Sequence, residues 1–262
     1  MVVRQLKNLL SFLTVFPVQM DMNMFTDCAR NMWAFPLIGG LIGLIVGVIS
    51  LFALVVLPSI VVGAIAFGLI LWLTGLHHTD GLLDFGDAVM VHGTFQRRIE
   101  VMHDQLTGSG AIGLAIVTYL VTAAAFTSLA LGSAQFFGII LIPAIVFGLI
   151  LIELCGKLSM VVMAFRGKAV HEGMNTSFLM HMHGRGGDLR LAAALGISLA
   201  LAFVLFQFDG LLVVLVAVVT SLVMVEVAHR KFGGVTGDVF GATNEITRMI
   251  CAVTLVAVIT WV

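Results

Sequence analysis

Apolar residues run in long blocks along this chain, and the polar ones come in short bursts between them. Seven apolar blocks, at about 34–57, 58–76, 109–132, 135–164, 190–207, 211–228 and 243–262, are each near the ~20 residues a helix needs to cross a bilayer. The pattern predicts an all-α, polytopic integral membrane protein with about seven transmembrane helices. The block 135–164 is long for one span and is expected to tilt or to run past the membrane boundary. Residues 1–33 differ. There Arg4, Lys7, Asp21, Asp27 and Arg30 alternate with apolar residues and Pro17 interrupts, which predicts an amphipathic interfacial segment. Gly39, Gly43 and Gly47 recur at every fourth position, a small-residue stripe that permits close helix approach.

The bursts also carry an orientation. Of the thirteen Lys and Arg, eleven lie in 1–33, 77–108, 165–190 and 229–242, while Lys157 and Arg248 fall inside predicted spans. The turns near 57–58, 133–134 and 208–210 hold no Lys or Arg. This is the positive-inside pattern, with a cytoplasmic N-terminus, an outer C-terminus and cytoplasmic loops at 77–108, 165–190 and 229–242. All eight His lie in those same loops, so the residues suited to polar chemistry gather at one face. A transporter more often sets ionisable groups near the midplane of several spans.

Composition narrows this further. The 262 residues are 60% apolar and 10% charged, where soluble domains carry about 25% charge, and the mean hydropathy is +1.15. One membrane-embedded domain over 1–262, multi-pass in the cell membrane, is expected. The net charge of −1 argues against a nucleic-acid partner. Cys28, Cys155 and Cys251 are far apart and read as small hydrophobes. The first twenty residues contain a Pro and lack the long apolar core of a secretory signal. Glu153 and Lys157 stand four apart within a span, where they either line the floor of a site or neutralise each other. Glu226, near a span end, reads equally as snorkelling or a satisfied contact and as a ligand.

Four bursts carry candidate chemistry. In 77–87, Asp80, Asp84 and Asp87 recur at i, i+4 and i+7, which on a helix places them on one face with His77 one turn earlier. Like charges so spaced repel, and a divalent cation reverses the sign. Mg2+ prefers oxygen ligands and typically takes one or two carboxylates with substrate phosphate. In 233–245, Gly233, Gly234, Thr236 and Gly237 precede Asp238 and open the last span, where backbone N–H groups favour an anion; Glu245 follows seven residues later. The loop 97–110 offers Asp104 beside a Gly-Ser-Gly turn, with Arg97 and Arg98 suited to phosphate or lipid headgroups. The loop 165–190 offers Arg166 and Arg185 for an anionic substrate, and His181 with His183 as a weak metal pair. Together these suggest metal-assisted chemistry on a phosphate or diphosphate, with a carboxylate or His taking a proton from an attacking hydroxyl.

Several segments resemble the adenosylcobinamide-GDP ribazoletransferase family, also called cobalamin synthases or cobalamin-5'-phosphate synthases. They are Phe12-Leu13-Thr14 with Phe16-Pro17-Val18, Phe35-Pro36-Leu37-Ile38-Gly39, and Gly75-Leu76-His77 with Asp80-Gly81-Leu82, Asp84 and Asp87. Met102 with Asp104 and Gly108 follows, then Gly233-Gly234 with Thr236-Gly237-Asp238, Gly241-Ala242 and Glu245. The resemblance implies a Mg2+-dependent membrane enzyme late in cobalamin synthesis. It would join adenosylcobinamide-GDP to alpha-ribazole, or its 5'-phosphate, and release GMP. It also implies that Asp80, Asp84 and Asp87 meet metal or diphosphate, that Asp238 is a ligand or base, and that His77, Asp104 and Glu245 assist. The chain departs from the family pattern at His103 and Leu106, where basic residues are usual. It departs again at Arg248, where an acidic residue is usual and where Arg can pair with Glu245. A homo-oligomer stays open.

Two other classes stay open at this point. One is a different membrane transferase with two acidic motifs, such as an aspartate-rich prenyltransferase or a CDP-alcohol phosphotransferase. The latter needs Asp-Gly-x-x-Ala-Arg, and Asp80-Gly81 is followed by Leu82-Leu83-Asp84-Phe85. The other is a transporter or channel using the acidic cluster as an ion site. It would call for an internal repeat, and none is convincing.

Overall fold

The structure is a computed structural model that describes residues 2–16, 24–136, 140–170 and 173–260. The expectations for Pro17, Asp21, His171 and Glu172 fall outside these. Five helices are long and apolar enough to cross a membrane, and a bent pair of helices makes a sixth candidate. The chain is thus a multi-pass membrane protein built almost wholly of helices.

Helices α1 (Val2–Leu13) and α2 (Met24–Arg30) form the N-terminal segment. It packs against the rest of the chain. Leu9 and Leu13 are buried, and Asn8 Nδ2 donates to Asp27 Oδ2 at 3.0 Å while Arg4 pairs with the same carboxylate at 3.2 Å. Helix α3 (Phe35–Ala53) follows a short 3-10 turn and packs lengthwise on α8 (Ala144–Arg166). The glycine stripe makes that contact possible. A Cβ at Gly39 would stand 2.3 Å from Glu153 O, and one at Gly43 2.2 Å from Leu149 O.

Helix α4 (Ser59–Leu73) ends where Gly75 and Leu76 adopt positive φ of 67° and 60°. The chain then turns by 95° into α5 (His77–Met90). Helix α5 runs across the end of the bundle. Gly81 lies against Asp238 at the start of α11 (Gly237–Thr260), and Gly86 lies against Gly110 and Ala111 at the start of α7 (Ser109–Leu131). Between α5 and α7 stands α6 (Phe95–Met102), capped by the Thr94 hydroxyl.

One expectation needs correction. The block 135–164 is not one helix. Residues Ser133–Phe136 and Ile140–Pro143 pair as an antiparallel hairpin, β1 with β2, Ser133 opposite Pro143, and the helix begins only at Ala144. Pro143 has no N–H to continue a helix backwards but suits a helix start. The connections between spans expected at 77–108 and 165–190 carry helices of their own, α5, α6 and α9 (Met174–His183). The blocks 190–207 and 211–228 are the two arms of α10 (Gly187–Phe232), which is non-helical at Phe206 and Gln207. The chain folds back there, since a Cβ at Gly210 would stand 2.2 Å from Ala202 O, whereas residues eight apart in a straight helix are about 12 Å apart.

The most buried helix is α8, whose Glu153 and Lys157 are fully buried. Lys157 lies 3.9 Å from Glu153 and donates to Asn244 Oδ1 at 2.7 Å. Arg248 grips Glu153 through Nε and Nη2 and reaches Glu245 through Nη1. Glu153 and Lys157 are half of a four-charge network. All three cysteines are buried free thiols.

Candidate active site

Helix α5 delivers the acidic face. Asp80 and Asp84, one turn apart, both line a cavity of about 400 Å3 together with Asp104, His103 and Asp238. Asp238 arrives from the first turn of α11, far along the sequence. It gets there because two glycines let α5 and α11 touch. A Cβ at Gly81 would stand 2.7 Å from Asp238 O, and one at Gly241 3.2 Å from His78 Cα. Thr236 sets the helix start, accepting from Val239 N–H at 3.3 Å.

A second cavity of about 400 Å3 adjoins the first, and Asp80 and Asp238 line both. Its other walls are mostly apolar, with His77 and His78 among them. His77 is exposed and His78 is buried. The Nδ1 of His78 has no hydrogen-bond partner. Burial, then the charges of Lys157, Arg248 and His77, hold its imidazole well below the ordinary histidine range.

The carboxylates crowd one another. Burial, then the charges of Asp238, Asp80 and Asp87, push the Asp84 carboxyl up to about 7. Among the described residues no three His, Cys, Asp or Glu side chains converge closely enough to hold a metal by themselves. Two carboxylates of the acidic cavity could hold a hard divalent ion only with substrate oxygens completing its shell.

The family model for cobalamin-5-phosphate synthase matches residues 5–256. The chain belongs to the cobalamin-5-phosphate synthase family. It is similar to three archaeal proteins named adenosylcobinamide-GDP ribazoletransferase. The protein of Halorubrum lacusprofundi is 34% identical over 252 residues, 95% of each chain. That of Thermococcus kodakarensis is 30% identical over 243 residues, 93% of this chain and 94% of its own. That of Methanococcoides burtonii is 27% identical over 255 residues, 97% of this chain and 92% of its own. No solved structure matches the chain.

Within this member of the cobalamin-5-phosphate synthase family, the expected site residues divide. Asp80, Asp84, Asp104 and Asp238 share the acidic cavity; His77 and Gly237 line the apolar one. Asp104 also accepts from Leu106 N–H at 3.1 Å, fixing its own turn. Asp87 is not brought in. Its carboxylate accepts from Gly108 N–H at 2.6 Å and Ala111 N–H at 2.9 Å, so it caps α7. Glu245, expected as a metal ligand, lies two turns down α11 from Asp238, where Arg248 and Asn244 hold its carboxylate. Thr236 is buried and serves as a cap rather than an open phosphate contact.

The basic residues also stand apart. Arg98 is buried and donates to Val89 O at 3.2 Å, tying α6 to the end of α5. Arg97 is exposed and pairs with Glu100 at 3.3 Å. Arg166 and Arg185 are exposed and line neither cavity. Two site histidines escaped the sequence reading. His103 stands in the acidic cavity where the family motif suggested a basic group, and its place beside Asp104 was the available signal. His78 had none beyond its adjacency to His77.

Proposed function

We propose that this chain acts as an adenosylcobinamide-GDP ribazoletransferase at the junction of the two cavities. Family membership makes it a transferase of cobalamin biosynthesis. The observation that carries the site is that Asp80 of α5 and Asp238 of α11 line both cavities. A reaction between two different substrates needs such a meeting point.

A ribose hydroxyl of alpha-ribazole, or of its 5'-phosphate, attacks the phosphorus on the cobinamide side of the diphosphate. The new P–O bond forms, the P–O bond to GMP breaks, and GMP keeps the bridging oxygen. The hydroxyl proton passes to a base, for which Asp238 and His77 are the candidates at the junction. His77 is exposed and can return that proton to water. One or two of Asp80, Asp84 and Asp238 would hold Mg2+, which would supply charge to neutralise diphosphate oxygens. His103 and the exposed start of α11 at Gly237 favour an anion on the same side.

The topology that goes with this reading has seven spans. Counting the arms of α10, 187–205 and 208–232, separately and α4 with α5 as one supports it. Lys and Arg bias then favours a cytoplasmic N-terminus and a site on the cytoplasmic face of the cell membrane. Purified protein given adenosylcobinamide-GDP, alpha-ribazole and Mg2+ should release GMP, and chelation should stop it. Folded protein that releases no GMP in Mg2+ overturns the reading.

A further inference from the structure

We propose that the apolar cavity seats the benzimidazole base of alpha-ribazole, with its ribose directed to Asp80 and Asp238; this rests on the transferase reading above. Phe240 of α11 lines this cavity, as do four phenylalanines from four other elements: Phe12 of α1, Phe25 of α2, Phe35 of α3 and Phe178 of α9. Those four form a connected aromatic cluster. The rings of Phe12 and Phe178 are 5.3 Å apart at 32°, those of Phe35 and Phe178 5.9 Å at 66°, and those of Phe12 and Phe25 6.0 Å at 83°. Met32 and Met160 complete an apolar wall.

A volume of about 400 Å3 falls within the ~300–1,000 Å3 typical of small-molecule sites. It suits a flat apolar bicycle, which binds through ring faces and edges. It does not suit the other substrate. A corrinoid macrocycle is too large, and a guanine or diphosphate buried against phenylalanines would lose its hydrogen bonds. In the acidic cavity next door a divalent cation held by its carboxylates would meet the diphosphate instead.

His78 lines the same cavity and is buried. A base seated among these rings leaves its sugar at the end of the cavity where Asp80 and Asp238 stand.

Binding can be measured without turnover. Full-length purified protein is titrated with alpha-ribazole alone, following the fluorescence of its benzimidazole. Phe178→Leu and Phe12→Leu should each weaken binding by about tenfold or more, the loss expected of a stacking ring. Both should keep the affinity of wild type for GDP in Mg2+, which reports an intact fold at the acidic cavity. A second measurement leaves the protein unchanged: the alpha-riboside of imidazole should bind about tenfold or more weakly than alpha-ribazole, having lost the fused apolar ring. Unchanged ribazole affinity in folded variants overturns the seat. So does a retained phospholipid that alpha-ribazole does not displace. Ribazole binding without GMP release would sink the reaction and leave the seat standing; GMP release with unaltered ribazole affinity in the variants would do the reverse.

Discussion

Replacing Arg248 with Met tests the four-charge network between α8 and α11. Glu153 and Glu245 carry two negative charges, and Lys157 and Arg248 carry two positive ones, so the wild-type network is balanced. Arg248 is completely buried and holds both carboxylates. Met fills much of the volume but leaves two buried carboxylates facing one ammonium, 3.9 Å from Glu153. Breaking a buried ion pair from one side costs about 3–5 kcal/mol. In soluble domains of comparable size each kcal/mol moves Tm by about 2–4 °C, so a fall of about 10 °C is expected in detergent. If unfolding is irreversible, the half-life at a fixed temperature is the measure. Adding Glu245→Gln to Arg248→Met restores neutrality and should recover about 1–3 kcal/mol of the loss, a coupling typical of one shared network. A single variant within about 0.5 kcal/mol of wild type, the range of ordinary surface changes, would refute the network's structural role.

Asp80→Asn and Asp238→Asn should each lower GMP release about 100-fold or more while leaving membrane insertion and Tm near wild type; activity within a few-fold of wild type would remove either from the site. Asp87→Ala should cost about 0.5–2 kcal/mol of stability, because the Gly108 and Ala111 N–H groups lose their cap, and Tm reads it. Gly81→Val should damage turnover more than stability, since its Cβ is aimed at the Asp238 backbone; overpacking of this kind typically costs about 1–3 kcal/mol, and unchanged turnover would count against the close approach. Saturating Mg2+ should raise the Tm of wild type, as any ligand that prefers the native state does, and should raise that of Asp84→Asn less.

Much of this could be read from the chain, and the misses have physical causes. The span at 109–132 was legible almost to the residue, because Ser109 and Gly132 bound an uninterrupted apolar run. The hairpin before Ala144 was not, since apolar residues without periodicity look alike in a strand and in a buried helix. Asp80 and Asp84 were legible as a facing pair. Asp87 shared their face by spacing alone, and only the neighbouring α7 start, short of N–H acceptors, decided its use. Glu245 shared a face with Asp238, but depth along α11 separates them. Sequence spacing gives the angle around a helix and not which end of it meets a cavity.

The site and the membrane-level network belong to one device. Helix α11 carries Asp238 at its first turn and Asn244, Glu245 and Arg248 lower down, where α8 answers with Glu153 and Lys157. Helix α5 lies across its top, locked by Gly81 against Asp238 and by Gly241 against His78. Rotating α11 to take Asp238 off the junction would therefore pull Arg248 from Glu153. In low-dielectric surroundings that separation is costly, far more than the same pair would cost at a surface. A buried ion network is weak evidence of stability in itself, since packed apolar residues often do as well. What it does supply is rotation and register. A smooth apolar contact can slide along the helix, whereas a guanidinium gripping two carboxylates admits one setting. The charges that looked costly at membrane depth thus fix the angle at which Asp80 and Asp238 meet.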